Sequence, residues 1–401
     1  MRRLVAPRPA GGAPSTTGTG RAPTLWAAAF LFLAVAAVLF AVVGLSVAQL
    51  PWSKNPKVLP FPGRPWLSGW VQWDGAWFRS VADQGYSYDP ARPSNVAFFP
   101  GYPLAMRLVG ILTGNVLLAG IVVTLACGAA TAVLFTAWVR SRLTPAAAWT
   151  ALALLLVYPF SFFLAGAVYV EALFVASILA AFVLLERGHP VLAGLAGAVT
   201  TATRHVGIAV VVGLVLRALE LRGAFDGRRW VPDLRKVKRP DYGVLLAVGG
   251  IAAFAVYLWA RYDDPLTFVE AQKSWGVDEG LRTWFKVNVL TEIRDFRSPF
   301  AWVVYVSHPA MTALAIAFLP RVFRRFGRAY GIYSLLAIAL PALTLPNFFG
   351  MGRYVIPAFP CFAAAGEWLT ERPRLRTLTL AASALALLAV TSFYARGVYL
   401  S

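Results

Sequence analysis

A chain of 401 residues that is 59% hydrophobic and only 14% charged, with a mean hydropathy of +0.65, is too apolar for a soluble protein and reads as a polytopic membrane protein. Its formal net charge of +19 would suggest nucleic acid in a soluble domain. A many-spanning chain instead collects basic residues in its cytoplasmic loops, so no nucleic-acid partner is expected.

Residues 1–24, rich in Arg, Pro, Gly, Ser and Thr, read as a disordered basic cytoplasmic tail. Leu25 to Leu50 is too long for the apolar core of a cleaved signal peptide and is assigned as a membrane anchor. A hydrophilic stretch follows at about 49–97. Gly101 to Leu112 is apolar but short, which places it at the outer interface or only partly inside the membrane. Further apolar segments of spanning or near-spanning length lie at about 115–139, 146–165, 168–186, 243–262, 300–319, 330–346, 353–369 and 377–395. The region 190–221 is interrupted by Thr200-Thr201-Ala202-Thr203-Arg204-His205 and reads as two short helices meeting at a polar tip.

The expected fold class is therefore an all-α polytopic membrane protein of about eleven spans, with a single membrane-embedded domain over 25–401. Arg140 and Arg142, the run Arg217 to Arg239, Arg321 to Arg328 and Arg372 to Arg376 fall on one side with the N-terminal arginines, which makes that side cytoplasmic. Alternation then puts two larger loops outside, at about 49–97 and 263–299. Two cysteines, Cys127 and Cys361, both in apolar runs, and three scattered histidines support neither a disulfide framework nor a metal centre. No cofactor is expected, and a requirement for a divalent cation stays open.

Asp74 stands among Trp73, Trp77, Phe78 and Tyr86 in the first outer loop. Two readings fit it. One is the cap of a short interfacial helix beside a belt of aromatics. The other is a general base at the mouth of a lipid-accessible cavity, where aromatic faces stack on sugar rings. Glu171, near the outer end of an apolar segment, faces a cavity or a charged partner. Arg204, beside three threonines, either grips a lipid-linked phosphate through parallel hydrogen bonds or forms an internal salt bridge, with Glu171 as one partner. Arg353, next to glycines that permit close approach of a ligand, is a second phosphate candidate or a snorkelling side chain. Gln272 and Trp275 stand one helical turn apart in the other outer loop, suited either to a sugar or to an amphipathic surface helix. The run Arg228 to Arg239 sets topology and meets anionic headgroups.

The order of these elements resembles that of the PIG-V-like mannosyltransferases. Trp73-Asp74, Trp77-Phe78, Gly85-Tyr86 and Val96-Ala97-Phe98-Phe99-Pro100-Gly101-Tyr102-Pro103-Leu104 are similar to the family's first-loop signature. Ala167-Val168-Tyr169-Val170-Glu171-Ala172-Leu173-Phe174 resembles its small-Tyr-x-Glu-x-Leu-Phe segment, and Ala193 to Arg204 its Gly-rich run ending Ala-Thr-Arg. Gly352-Arg353-Tyr354-Val355-Ile356-Pro357 resembles its late Arg-Tyr-x-x-Pro element. Departures are Gly75 where Ser or Ala is frequent, Val170 where Ser is common, and His205 where a small residue is usual.

The resemblance implies a GT-C-like bundle and a polyprenyl-phosphate sugar donor. It further implies transfer of a hexose, mannose in this family, with inversion, to an acceptor hydroxyl on a glycan, glycolipid or protein at the extracytoplasmic face. Asp74 is then the catalytic base. Trp73, Trp77, Tyr86, Phe99, Tyr102, Glu171, Arg204, Gln272, Trp275, Arg353 and Tyr354 are the expected substrate-binding residues. A lipid or sugar flippase and a non-catalytic membrane scaffold are the alternatives. A flippase would carry its polar groups near the membrane midplane in repeated halves, and no internal repeat is visible.

Overall fold

The structure, a computed structural model, describes residues 21–53, 59–225, 231–274, 280–287, 289 and 299–400. Among these residues the secondary structure is helical, apart from one isolated bridge between Phe225 and Pro232. The chain runs through α1 (Leu25–Gln49), α2 (Pro65–Ser68), α3 (Asp74–Gln84), α4 (Gly101–Thr113), α5 (Val116–Val139), α6 (Pro145–Leu156), α7 (Glu171–Glu186), α8 (Pro190–Thr203) and α9 (Ile208–Leu221). A 3-10 segment, Arg239–Val248, leads into α10 (Gly249–Tyr262), followed by α11 (Thr267–Lys273) and α12 (Leu281–Trp284). Last come α13 (Pro299–Phe326), α14 (Arg328–Thr344), α15 (Met351–Tyr354), α16 (Phe359–Thr370) and α17 (Pro373–Ala395).

The chain is a multi-pass membrane protein. By length and composition, α1, α5, the stretch Arg239–Tyr262, Val303–Phe326 and α17 can each cross a bilayer unaided. Several of the expected spans are shorter than their apolarity suggested. The stretch expected as a span at 146–165 is not one helix: α6 ends at Leu156, a 3-10 turn follows at Ser161–Leu164, and α-helix resumes only at Glu171. Twelve residues reach about 18 Å, too little for a bilayer core of about 30 Å. Pro159 and Gly166, the latter at φ +154°, oppose helix here. In the same way the expected span at 353–369 is divided between α15 and α16, around Pro357 and Pro360.

Non-helical backbone at membrane depth survives only when protein covers it and completes its hydrogen bonds. Residues 158–170 are buried throughout. Val168 N–H donates to the Trp70 carbonyl at 3.0 Å. Thr124 Oγ1 donates to the Ala167 carbonyl at 2.9 Å, and Tyr158 OH donates to the Gly352 carbonyl at 2.7 Å. This buried loop is the floor on which the segment between α2 and α3 and the late Gly-Arg-Tyr turn both rest.

The Gly-rich run packs helices together. A Cβ on Gly194 would lie 2.0 Å from the Gly243 carbonyl oxygen, and one on Gly250 would lie 2.0 Å from that of Ala198. α8 therefore crosses the Arg239–Tyr262 stretch backbone against backbone, the use membrane helices make of small residues. Thr200, Thr201 and Thr203 are likewise committed, to Ser177 Oγ, the Ala247 carbonyl and the Thr200 carbonyl at 2.8, 2.7 and 2.6 Å.

α4 is amphipathic, exposing Leu104, Leu108, Ile111 and Leu112 while burying Tyr102 and Met106. At the opposite end of the bundle Glu186 Oε1 lies 2.7 Å from both Arg142 Nη2 and Arg217 Nε and accepts from Tyr330 OH at 2.8 Å. That network joins α7, α9 and α14 around the basic turn after α5.

Candidate active site

Asp74 is the first residue of α3, and the capping position belongs to Trp73. No side chain caps this helix; the Asp74 carboxylate faces Arg353, with Oδ2 3.2 Å from Nη1. The partner of the carboxylate is thus Arg353 and not a backbone N–H of its own helix. Trp73 has φ +50° and ψ −110°, a region that side chains rarely adopt. Three contacts hold it there. Its Nε1–H donates to the Val398 carbonyl at 3.3 Å, its ring lies 4.6 Å from that of Tyr399, and the following Asp74 N–H donates to Tyr169 OH at 3.1 Å. Gly75 helps by bringing α3 against the buried loop, since a Cβ there would sit 3.3 Å from the Val168 carbonyl oxygen.

Arg353 comes from the other side of the fold. Gly352 lets the α15 turn close onto Phe160, whose ring would be 2.3 Å from an added Cβ. The Gly352 N–H donates to His308 Nδ1 at 3.0 Å, so the turn is fixed from two directions. Arg353 is buried, with Nη1 also 3.6 Å from Glu171 Oε1 and Nη2 donating to Tyr354 OH at 3.1 Å. Its guanidinium packs over the rings of Tyr354 and Tyr169 at 4.9 and 5.2 Å.

Glu171, fully buried, opens α7, where the helix dipole favours negative charge. Its Oε1 accepts from Arg204 Nη2 at 2.7 Å, and its Oε2 has no hydrogen-bond partner among the described residues. Arg204 sits in an extended link between α8 and α9 and lies over the Tyr354 ring at 4.6 Å. The salt-bridge reading of Arg204 thus holds, with Glu171 as the partner. The result is a chain of alternating charge, Asp74, Arg353, Glu171, Arg204, in which two acids offset two bases.

A narrow crevice of about 10 Å³, room for about one water, reaches Arg204 and Tyr354 between Phe174, Ile178, Val210, Ala337 and Pro341. Its walls are mostly apolar, and Arg204 supplies the charge among them.

The other expected residues stand further out. Tyr102 is fully buried, its hydroxyl bonded to the Gly120 carbonyl and Thr124 Oγ1 at 2.9 Å each. Tyr86 donates to the Phe98 carbonyl at 2.8 Å and packs on Phe254 and Tyr257 of α10. Trp77 stacks on Phe98 at 5.9 Å. Phe99 joins Phe254 and Phe268 in a small apolar cluster beneath α11. Gln272 Nε2 lies 3.1 Å from His205 Nδ1, tying α11 to the tip of the α8–α9 pair. Trp275 lies outside the described residues.

Tyr169, His308 and Tyr399 take part without having been singled out as site residues. Tyr169 had a signal, two positions before Glu171 in the same motif. The other two had none, because their partners come from distant parts of the chain.

Residues 62–226 match the family model described as Mannosyltransferase (PIG-V). The GPI alpha-1,6-mannosyltransferase 2 of Cricetulus griseus is 35% identical over 213 residues, which cover 49% of this chain and 41% of that protein. The similarity thus spans about two fifths of that relative's length. The crystal structure of ArnT from Cupriavidus metallidurans bound to undecaprenyl phosphate superposes with a TM-score of 0.51 at 14% identity, covering 92% of this chain and 75% of that one. The fold is accordingly the GT-C-type helical bundle shared with ArnT.

Proposed function

We propose that this protein is a membrane glycosyltransferase that moves a hexose, mannose by its family match, from a polyprenyl-phosphate carrier to an acceptor hydroxyl on the extracytoplasmic face. The observation that carries this reading is the convergence of Asp74, Arg353, Glu171 and Arg204 from four separate parts of the chain. The match to mannosyltransferases and the ArnT-like fold support the reaction class and a lipid-linked donor.

Asp74 takes the proton of the acceptor hydroxyl as that oxygen attacks the anomeric carbon from the face opposite the lipid phosphate, which inverts the centre. Arg353 orients Asp74. Arg204 lines the crevice, and only its Nη2 is engaged among the described residues, so its remaining N–H groups meet the departing phosphate, where negative charge grows in the transition state. Glu171 fixes both guanidiniums. A single membrane-embedded domain over 25–401, with the N-terminus cytoplasmic, completes the reading.

Asp74→Asn tests it. Membranes carrying the variant should lose transfer of labelled mannose from polyprenyl-phosphate mannose by about 100-fold or more, the range of a removed general base, while the protein accumulates normally. Unchanged transfer would remove Asp74 as the base. Transfer absent from the wild type as well would remove the reaction class.

A further inference from the structure

After α17 the chain folds back over the Asp74 end of the bundle and is pinned there. Ser53 N–H donates to the Arg396 carbonyl at 2.9 Å, Gln72 Nε2 to the Ala395 carbonyl at 3.3 Å and Trp73 Nε1 to the Val398 carbonyl at 3.3 Å. Leu400 is 2% exposed. Tyr399, between these anchors, is 51% exposed. Its backbone is thus held while its ring remains accessible.

The ring joins a group of aromatics, its centroid 4.6 Å from that of Trp73 and 5.1 Å from that of Phe349. Trp73, on which it packs, is the residue directly before Asp74, so the ring stands at the Asp74 end of the charged chain. Core packing does not account for this placement, since the residue is half exposed. A pyranose presents one face of C–H groups that packs on an aromatic ring, while its hydroxyls turn to polar neighbours. Here the polar neighbour is the carboxylate proposed as the base.

We propose that Tyr399, with Trp73, is the platform for the acceptor's sugar ring and turns one of its hydroxyls toward Asp74. This rests on the glycosyltransferase reading and narrows it: the acceptor is a glycan or glycolipid whose reacting end is a sugar, not a protein side chain. Tyr399 is a specificity-determining residue that acts on acceptor binding.

The full-length protein in lipid nanodiscs tests the assignment, as wild type and as Tyr399→Ala, Tyr399→Leu and Tyr399→Phe. Polyprenyl-phosphate mannose is the donor and octyl α-mannoside the acceptor. Removing the aromatic face raises the acceptor KM about tenfold, equivalent to about 1.4 kcal/mol, in both the Ala and Leu variants. The effect falls on the acceptor KM and not on the donor KM, and Tyr399→Phe restores the wild-type value. Tryptophan fluorescence titrated with octyl α-mannoside in the absence of donor reports the same weakening of Kd. An acceptor KM within twofold of wild type in the Ala and Leu variants, or a fall in kcat with KM unmoved, overturns the platform and leaves glycosyl transfer standing. So does an equal fluorescence response to octyl phosphocholine, which would mark Tyr399 as a lipid-headgroup anchor. A wild type that transfers no sugar overturns the underlying reaction, and binding of the mannoside then judges the platform by itself.

Discussion

Arg353 Nη1 stands 3.2 Å from Asp74 and 3.6 Å from Glu171, so one guanidinium bridges two acids inside a bundle that offers little water. Removing it leaves the Asp74 carboxylate without its partner and Glu171 dependent on Arg204 alone. Breaking such a buried pair from one side costs about 3–5 kcal/mol, because the remaining charge stays desolvated. Arg353→Gln should therefore lower both thermal stability and mannose transfer. Adding Asp74→Asn in that background should return part of the stability, since the orphaned charge is gone, and none of the activity. Thermal midpoints and transfer rates of the two single variants and the double variant form a cycle. Recovery of activity in the double variant would refute the role given to Asp74. Each of the four charged residues was legible in the sequence, as a costly group in apolar surroundings. Their pairing was not, because Asp74 and Arg353 are 279 positions apart and only the buried loop brings them together.

At the scale of elements, apolarity was readable and helix length was not. Residues 146–165 are continuously apolar enough for a span, yet Pro159 and Gly166 break them, and the break forms the floor of the site. Counting hydropathy weighs composition, whereas Pro and Gly act through backbone geometry. The tip of α8 and α9 was read correctly as two short helices, while its tie to α11 through His205 and Gln272 depends on a tertiary contact no local pattern reveals. Burial, with the Arg204 charge beside it, holds the His205 imidazole down at about 4 from an ordinary 6.5. Between those two values the unfolded chain binds a proton that the folded one does not. Stability from this site is therefore fully present above about pH 6.5 and is lost as pH falls towards 4. The thermal midpoint of the wild type should drop over that window more steeply than that of His205→Gln. Parallel pH profiles for the two proteins would show that the buried imidazole is not the source of the acid sensitivity.

The whole molecule has two polar ends with different work. One gathers Asp74, Arg353, Glu171 and Arg204 into a charged chain. The other gathers Arg142, Glu186, Arg217 and Tyr330 into a network whose members satisfy one another. The contrast lies in what is left over. Glu171 Oε2 and Arg353 Nε are buried without a hydrogen-bond partner among the described residues, as groups held for a ligand would be. In the opposite network Glu186 Oε1 alone collects two arginines and a tyrosine hydroxyl. Glu186→Gln should thus cost about 2 kcal/mol through weakened charged hydrogen bonds. The thermal midpoint would fall, while the KM values and the turnover per folded molecule stay at wild-type values. Glu171→Gln should instead reduce turnover even at temperatures where the fold is intact, because it releases both guanidiniums at once. Measuring activity against the folded fraction for the two variants separates the ends. Equal losses of turnover in both would mean that the charged chain at Asp74 has no privileged place in the reaction, since charge removed from either end would then act only by loosening the bundle.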